Sequence, residues 1–526
     1  MNARTVTVDE LAAALASGSP PGVLDVRDLV ESERGHVPGA TILPRRRIEL
    51  RIEALVRDRA TPLVVIDSGD DIEPALRDPR AELAAATLAG FGYRSVAVLD
   101  GGMAAWRLAG LPVVSGTQVS SQAFGRRIAD LARVPTIDVA TLRNWQQDGR
   151  RVALCDVRSA AEHTEGCVPG AVSLPGFEVV SHALDMGSES DVIVLCSSAR
   201  TRSLMVARTL IDLGLGDVFA LDGGMLAWRL DGLEPEHGSR RRRVEPSTPA
   251  RQFAELGAAR LAKHYGVEPV EAADLSALLY ATNGNFNVFD LRDPARHVAG
   301  HVPRSASVAC DALVVRHEEW IAMRDAPVVL VDDDNVRALL TGVWLRRLGL
   351  PRVRTLAGGF AAWVASGRPA STAATLPLGW SEASVMTPGL GVDDVDGWLA
   401  AYAPSHVLHV DTGASYRRGH LPGAVWLPRG WLETRIAAIA PSLDQPLLVT
   451  CTDGSQAAFA AATLRRRGHA HVAWLQGGTQ IWASSGRTLE TAPQPPCDDE
   501  MLLPARRDEQ GMRDYLQWER LLEPRD

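Results

Sequence analysis

The chain alternates between short, continuous apolar runs and longer stretches rich in alanine and leucine. Four of the runs are β-branched and four residues long, and they cover residues 63–66, 192–195, 328–331 and 447–450. Each run precedes a stretch such as residues 459–464, whose composition is typical of a helix. Continuous apolar strands separated by helices are typical of a parallel sheet that is covered on both faces. The pattern therefore predicts an α/β fold.

A second pattern, Gly-Gly-x-x-x-Trp, closes four segments of the chain. The four copies are Gly101-Gly102 with Trp106, Gly223-Gly224 with Trp228, Gly358-Gly359 with Trp363, and Gly477-Gly478 with Trp482. Successive copies begin 122, 135 and 119 residues apart. A period of this length indicates four copies of one domain of ordinary size, each with its own core.

Each copy also has an acidic residue near the end of its first apolar run and a turn about ten residues later. We align the acidic residues as Asp25, Asp156, Asp290 and Asp411. The turn reads His36-Val37-Pro38-Gly39-Ala40 in the first copy and takes a similar form in the others. A buried carboxylate at a strand end usually accepts hydrogen bonds from the backbone or from arginine, so we expect these acids to be structural.

The domain boundaries are predicted where proline, glycine, serine and threonine concentrate. We expect domain 1 at residues 1–118, domain 2 at 125–238, domain 3 at 255–372 and domain 4 at 378–492. Residues 493–526 are expected to form a C-terminal tail that contains a short helix.

Charge and composition exclude several classes of function. The net charge is −9, and the one basic run, at residues 240–243, falls in a linker, so no nucleic-acid partner is expected. No apolar stretch approaches the length of a membrane span. The six cysteines are unevenly spaced and do not form a disulfide framework, which favours a reducing, cytoplasmic location. The sequence does not indicate an oligomeric state.

The chemistry is expected where the four short runs end, since ligands gather between a strand and the following helix in an open parallel sheet. The fifth residue, counted from the start of each run, is Asp67, Cys196, Asp332 and Cys451 in turn. Only domains 2 and 4 have a nucleophile at this position. The alternation of acid and cysteine predicts two tandem pairs, each with one reactive and one unreactive domain.

Taken together, these motifs resemble the rhodanese (thiosulfate sulfurtransferase) family over nearly all of residues 1–492. The resemblance implies four tandem rhodanese-like domains, each a small parallel sheet with helices on both faces. It also implies that a cysteine thiolate takes the outer sulfur of thiosulfate, holds it as a persulfide and passes it to cyanide or a thiol. This chemistry requires no metal or organic cofactor.

The resemblance also implies which residues hold the donor. A loop of about six residues can turn its N–H groups inward around an anion and a thiolate. Cys196 and Cys451 are the predicted catalytic residues. The predicted donor-binding residues are Arg158, Ser197, Ser198, Arg200 and Arg202 in domain 2, and Arg417, Thr452, Gly454 and Ser455 in domain 4. The two loop arginines favour thiosulfate over 3-mercaptopyruvate as the donor.

The loop of domain 2 leaves other functions open. Counted from Cys196 to Gly214 it is one residue longer than the matching segments of domains 3 and 4, and it reads Cys-x5-Arg from Cys196 to Arg202. That spacing is found in the phosphate loop of the rhodanese-like Cdc25 phosphatases and arsenate reductases, so either chemistry is an alternative at Cys196. A third interpretation is that the domains are non-catalytic binding modules.

Overall fold

The fold consists of four five-stranded parallel sheets, one in each domain. The computed structural model describes residues 4–69, 78–116, 118–131, 134–281, 283–333, 335–492 and 508–522. In every sheet the strands, numbered in chain order within the domain, lie in the order 1-5-4-2-3. The predicted α/β architecture is therefore confirmed. Among the described residues, no helix combines the length and apolar character needed to cross a membrane.

The strands follow one another in the same way in each domain. Domain 1 contains β1 Arg4–Val6, β2 Gly22–Asp25, β3 Thr41–Ile42, β4 Leu63–Ile66 and β5 Val96–Leu99. Domain 2 contains β6 Thr136–Ile137, β7 Val152–Asp156, β8 Val172–Ser173, β9 Val192–Cys196 and β10 Val218–Leu221. Domain 3 contains β11 Glu268–Val270, β12 Asn287–Asp290, β13 Ala306–Ser307, β14 Val328–Val331 and β15 Val353–Leu356. Domain 4 contains β16 Gly389–Leu390, β17 His406–His409, β18 Val425–Trp426, β19 Leu447–Thr450 and β20 Val472–Leu475.

The helices connect these strands, and three further helices lie between domains. Those of domain 1 and the first linker are α1 Val8–Leu15, α2 Leu29–Glu33, α3 Ile48–Leu55, α4 Arg80–Gly90, α5 Gly102–Leu108 and α6 Val119–Leu131. Those of domain 2 and the second linker are α7 Val139–Gln147, α8 Ala160–Glu165, α9 Glu178–Glu189, α10 Thr201–Asp212, α11 Gly224–Leu230 and α12 Thr248–His264. Those of domain 3 and the third linker are α13 Ala272–Tyr280, α14 Pro294–Ala299, α15 Cys310–Val315, α16 His317–Trp320, α17 Val336–Arg347, α18 Gly359–Ala365 and α19 Trp380–Met386. Domain 4 and the tail have α20 Val395–Ala401, α21 Gly413–Arg418, α22 Leu432–Ile439, α23 Ser455–Arg466, α24 Gly478–Ser484 and α25 Glu509–Leu521.

The four domains group into two compact units, and the grouping does not follow the order of the chain. One unit contains domains 1 and 4, whereas the other contains domains 2 and 3 together with α25. The tandem pairing predicted from the alternation of acid and cysteine is therefore wrong, because packing joins the first domain to the last.

Domains 1 and 4 are joined by buried ion pairs that are exchanged between them. Arg45 of domain 1 contacts Glu433 of domain 4 at 3.0 Å, and Arg429 of domain 4 contacts Glu49 of domain 1. Each of these arginines follows a Leu-Pro dipeptide and precedes a glutamate by four residues, so the two partners occupy corresponding positions. All four side chains are almost fully buried, and losing one partner would leave an uncompensated charge.

Domains 2 and 3 instead share one continuous hydrophobic core. Ile193 and Leu204 of domain 2 belong to the same buried cluster as Leu330 and Trp344 of domain 3. The indole N–H of Trp344 also donates to the hydroxyl of Thr209, a residue of α10, at 3.0 Å. The face of the domain 2 sheet that carries Ile193 is therefore closed by the neighbouring domain.

The C-terminal helix α25 packs against the loop that follows β9. Met512 and Leu516 form a small apolar cluster with Ala199 of the loop. Glu519, which is 2% exposed, accepts a hydrogen bond at 2.9 Å from the hydroxyl of Thr201. Its second oxygen has no hydrogen-bond partner within the described part of the chain. Burial raises the pKa of Glu519 from 4.5 to about 7.

We predict that the docking of α25 weakens as the pH rises. The pKa of Glu519 is higher when α25 is docked than when it is undocked, so docking is most favourable below about pH 4.5. The free energy of docking becomes less favourable by up to about 3 kcal/mol by about pH 7. Hydrogen-exchange protection factors in residues 509–521 should fall between pH 5 and 8, and Glu519→Gln should remove most of this dependence. Glu509→Gln, on the exposed side of the same helix, is the matched control. An equal fall in protection in the wild type and in Glu519→Gln would contradict the prediction.

Candidate active site

Backbone pairing fixes which residue heads the loop in each domain, and it corrects the sequence alignment by one residue. In each domain the last residue of the second strand pairs with the last residue of the fourth strand. The pairs are Asp25 with Ile66, Asp156 with Cys196, Asp290 with Val331, and His409 with Thr450. Cys196 is therefore equivalent to Thr450, and not to Cys451.

The closing Gly-Gly turn gives the same register independently. The N–H that follows the second glycine donates at 2.9 Å to the carbonyl of the loop head, in the pairs Met103–Asp67, Met225–Ser197, Phe360–Asp332 and Thr479–Cys451. A Cβ on the second glycine would lie 2.1–2.7 Å from the same carbonyl oxygens, so only glycine allows this approach. The loop heads are thus aspartate, serine, aspartate and cysteine.

Cys196 accordingly lies inside strand β9 and faces the core. It is fully buried in a cluster with Cys167 and Trp228, on the face of the sheet opposite to Ile193 and Leu195. Burial raises the pKa of its thiol above the usual range. The prediction that Cys196 occupies the catalytic position is wrong. Relative to the strand pairing, the apolar run of domain 2 begins one residue earlier than the runs of the other domains, so counting from its start stops one residue short of the loop head. The apparent extra residue in its loop also disappears, since Ser197 to Gly214 spans the same 17 residues as Cys451 to Gly468.

The predicted donor-binding residues of the domain 2 loop are held by other groups. Arg202 lies 2.7 Å from Glu162 and 3.2 Å from Asp311, and it also donates to Ser198. Arg200 lies 2.7 Å from Asp222. With both arginines paired to carboxylates and Cys196 in the strand, the Cys-x5-Arg phosphate loop is not formed.

Ser197 and Arg158 likewise have structural partners. The hydroxyl of Ser197 lies 3.2 Å from that of Ser203 on α10. Arg158 contacts Asp156 at 2.6 Å and donates to the carbonyl of Gly166 at 2.7 Å, which ties the strand end to the turn. The same arrangement is present in domain 1 with Arg27 and in domain 3 with Arg292. Its recurrence in domains that have no cysteine at the loop head shows that this arginine holds the fold.

The aspartates at the head of the other two loops cannot carry sulfur. Asp332 is paired with Arg337 at 2.6 Å. Asp67 accepts hydrogen bonds from the N–H groups of Gly69 and Ala81, and burial, assisted by Asp78, raises its pKa to about 7.

Cys451 is the one thiol that heads a loop between a strand and a helix among the described residues. It is fully buried, and its sulfur accepts hydrogen bonds from the N–H groups of Gly454 at 3.1 Å and Ala457 at 3.3 Å. Gly454 has a φ of +87°, and a Cβ there would lie 2.9 Å from the nitrogen of Gly477. Glycine therefore allows the loop to turn its N–H groups toward the sulfur.

Negative charge around the loop opposes ionisation of this thiol. Burial, together with the charges of Asp411 and Asp453, raises the pKa of Cys451 to about 12, although the N–H of Ala457 acts in the opposite direction. One carboxylate oxygen of Asp453 lies 3.7 Å from the sulfur and also accepts from both the N–H and the hydroxyl of Ser455. In this state the thiol is protonated at neutral pH.

Asp411 is not the acid at the strand end, where the sequence alignment placed it. The strand-end residue of domain 4 is His409, and Asp411 occupies the position that holds Arg27, Arg158 and Arg292 in the other domains. Its carboxylate accepts from the hydroxyl of Thr452 at 2.5 Å and from the N–H of Thr452 at 3.3 Å. Asp411 thus fixes the second residue of the cysteine loop.

This shift also removes the basis for Arg417 as a donor-binding residue. The residue six positions after the observed strand end, His409, is Ser415 and not Arg417. The hydroxyl of Ser415 lies 2.6 Å from that of Thr452. His409, whose pKa burial lowers to about 4, is neutral and approaches Ser415 at 3.3 Å. Sequence reasoning missed both residues. The constant spacing of eleven residues from strand end to turn, as in Asp25 to His36 and His409 to His420, would have identified them.

No metal site accompanies the loop within the described ranges, where no group of three His, Cys, Asp or Glu side chains could hold an ion. The site instead consists of one thiol, an inward-facing backbone and a surrounding set of charges.

Comparison with known proteins identifies the family of the chain. The model of the rhodanese-like domain matches residues 7–109, 138–231, 271–366 and 393–485, and the chain belongs to this family. A crystal structure of a thiosulfate sulfurtransferase from Pseudomonas aeruginosa superposes with a TM-score of 0.87 at 29% identity, covering 99% of this chain and 97% of the other.

Two curated relatives match parts of the chain. A putative thiosulfate sulfurtransferase, SseB, of Mycobacterium tuberculosis is 27% identical over 44% of this chain and 95% of its own length. A sulfurtransferase of Allochromatium vinosum is 33% identical over 19% of this chain and 92% of its own length.

The charge of Asp453 can be tested separately from its hydrogen bonds. We predict that Asp453→Asn lowers the pKa of Cys451, because the amide keeps an acceptor for Ser455 but removes a negative charge near the sulfur. The rate of Cys451 alkylation by iodoacetamide, followed by peptide mass spectrometry, should reach its half-maximum at a lower pH than in the wild type. Asp444→Asn, in an exposed turn of the same domain, is the control. An unchanged profile would show that Asp453 does not influence the thiol.

Proposed function

We propose that this protein is a sulfurtransferase that carries sulfane sulfur on Cys451, from thiosulfate or a related anionic donor to a thiol or cyanide. The observation that carries the proposal is the pair of N–H groups, from Gly454 and Ala457, directed at the sulfur of Cys451. The relation to a thiosulfate sulfurtransferase of known structure over the whole chain supports the same chemistry.

The reaction follows from a thiolate held in such a loop. After the thiol loses its proton to solvent, the thiolate of Cys451 attacks the outer sulfur of thiosulfate. The S–S bond of the donor breaks, and sulfite leaves with the electron pair. The persulfide then passes its outer sulfur to cyanide, giving thiocyanate, or to a thiolate, giving a new persulfide, and the Cys451 thiolate is regenerated. No external oxidant or reductant is consumed.

The inward N–H groups serve each anionic state of this cycle. Backbone donors stabilise a thiolate, and equally a terminal persulfide sulfur that carries a full charge. Because the resting pKa of Cys451 is about 12, ionisation needs help beyond the loop itself. Binding of the donor then brings its reactive sulfur to the thiolate.

Sulfur transfer is assigned to domain 4 alone. The loop heads of the other domains are Asp67, Ser197 and Asp332, none of which can form a persulfide. Domain 1 closes the face of domain 4 that carries Arg429. The acceptor used in the cell and a cytoplasmic location stay predictions from the sequence.

Two matched cysteine variants test the assignment. Cys451→Ala and Cys196→Ala each replace a fully buried thiol. After incubation with thiosulfate, the wild type and Cys196→Ala should gain about 32 Da, the mass of one sulfur atom, by intact mass spectrometry. Cys451→Ala should gain nothing, and its production of thiocyanate from cyanide should fall at least about 100-fold.

Circular dichroism of both variants checks that the fold is retained. A sulfur adduct that persists in Cys451→Ala but is lost in Cys196→Ala would reverse the assignment. No adduct on the wild type with any sulfane donor would refute the proposed function.

A further inference from the structure

Arg46 of domain 1 is a buried arginine whose charge is poorly matched. The residue is 2% exposed, and its nearest carboxylate contact is 3.8 Å, between Nε and Asp28. Within the described residues, Nε and Nη2 have no hydrogen-bond partner. A buried guanidinium with unused N–H groups is costly, and a bound anion would remove that cost.

Asp28 does not satisfy this arginine. Its carboxylate accepts a hydrogen bond at 3.1 Å from the indole of Trp431 and lies 3.6 Å from Arg80. Burial raises the pKa of Asp28 above its usual range, although Arg46 and Arg80 oppose the shift. A carboxyl group that ionises less readily and serves two other donors is a weak counter-ion for Arg46.

Arg46 lies beside the cysteine loop of domain 4, within the unit that the two domains form. Its carbonyl oxygen accepts at 3.0 Å from Arg429, and the same Arg429 nitrogen donates to Gln456 at 3.2 Å. Gln456 directly precedes Ala457, whose N–H contacts the sulfur of Cys451. The chain of contacts thus leads from the backbone of Arg46 to the base of the cysteine loop.

The guanidinium also acts on the carboxylate that holds this loop. Burial alone would raise the pKa of Asp411, but hydrogen bonds from Thr452 and Thr412 and the positive charge of Arg46 bring it below its usual range. Asp411 in turn accepts from Thr452, the residue after Cys451. The charge of Arg46 therefore acts on the carboxylate that holds the residue next to Cys451.

Within the described residues, the corresponding segment of domain 4 offers no comparable cation. Arg429 is committed to Glu49 and Gln456. The position equivalent to Arg46 in domain 4 is Gly430, since each follows an arginine that succeeds a Leu-Pro dipeptide. Asp411 and Asp453 add negative charge, so a dianionic donor needs a cation from the neighbouring domain.

We infer that Arg46 is a donor-binding residue that domain 1 supplies to the Cys451 loop, where it holds the oxyanion end of the sulfur donor. The inference rests on the proposed function for the identity of the donor, but the anion site itself does not depend on sulfur transfer. Domain 1, whose own loop begins with Asp67, would thus complete the active site of domain 4 and select for doubly charged donors.

Alkylation of Cys451 by a charged and a neutral reagent tests the anion site directly. Iodoacetate is an anion and iodoacetamide is its neutral counterpart, so the ratio of their rates at Cys451 reports the local positive charge. In Arg46→Gln this ratio should fall about tenfold, and Arg46→Lys should retain most of it. Arg94→Ala, an exposed arginine of the same domain, should leave the ratio unchanged.

Using the ratio cancels any general change in the access to Cys451 or in its pKa, because both reagents react with the same thiolate. Peptide mass spectrometry isolates Cys451 from the other cysteines. A ratio in Arg46→Gln within twofold of the wild-type value would overturn the inference.

Steady-state kinetics test the role toward the donor. With thiosulfate, Arg46→Gln should raise KM about tenfold and change kcat by less than about threefold. With a singly charged alkanethiosulfonate as the donor, which passes on its outer sulfur and releases a sulfinate, the rise in KM should be clearly smaller. An equal rise of KM for both donors would contradict a charge-specific role.

The two experiments separate the inference from the function on which it rests. If thiosulfate leaves no sulfur on Cys451 but the alkylation ratio falls in Arg46→Gln, the proposed function fails and the anion site stands. If Cys451 carries sulfur and the ratio does not change, the function stands and Arg46 is not the residue that binds the donor.

Discussion

The close approach of the Gly-Gly turn to the first carbonyl of the loop is the constraint on which the other features of each domain depend. A side chain on the second glycine would overlap that carbonyl, so the turn and the loop can meet in one register only. This register decides which residue stands at the head of the helix, facing the backbone N–H groups. In three domains that residue is aspartate or serine, and in domain 4 it is cysteine. The reactivity of the chain is thus set by one backbone contact that is repeated four times with different side chains.

Charge distinguishes domain 4 from its relatives as much as the thiol does. Three domains tie the strand end to the turn with an aspartate–arginine pair, whereas domain 4 has a neutral histidine and moves its carboxylate, Asp411, onto the cysteine loop. The loop is thereby fixed in position but surrounded by negative charge. The arginines that offset this charge come in part from domain 1, and the exchanged ion pairs of Arg45 and Arg429 hold the two domains together where they are needed.

The sequence predicted the fold closely because strands, helices and turns are encoded by local periodicity and by the glycine motif. The site was predicted less well. An apolar run such as Val192-Ile193-Val194-Leu195-Cys196 shows that a strand is present, but hydrophobicity alone does not show where strand pairing begins. An alignment that was wrong by one residue therefore placed Cys196 at the catalytic position. The downstream spacing to Gly214 contained the correct register. The contribution of Arg46 was not predictable, because contacts between residues nearly 400 positions apart leave no local pattern.

The joining of domain 1 to domain 4 has a consequence for how the protein is made. Domain 1 is synthesised before domain 4, and residues 118–375, which form most of the other unit, are made between them. At about 5–20 residues per second, synthesis of that intervening segment takes roughly 13–50 s. During this interval Arg45 and Glu49 lack Glu433 and Arg429, their partners in domain 4, and the nascent chain exposes a charged surface that domain 4 later covers. The interface between domains 1 and 4, and the cysteine site beside it, can therefore assemble only after domain 4 has been synthesised.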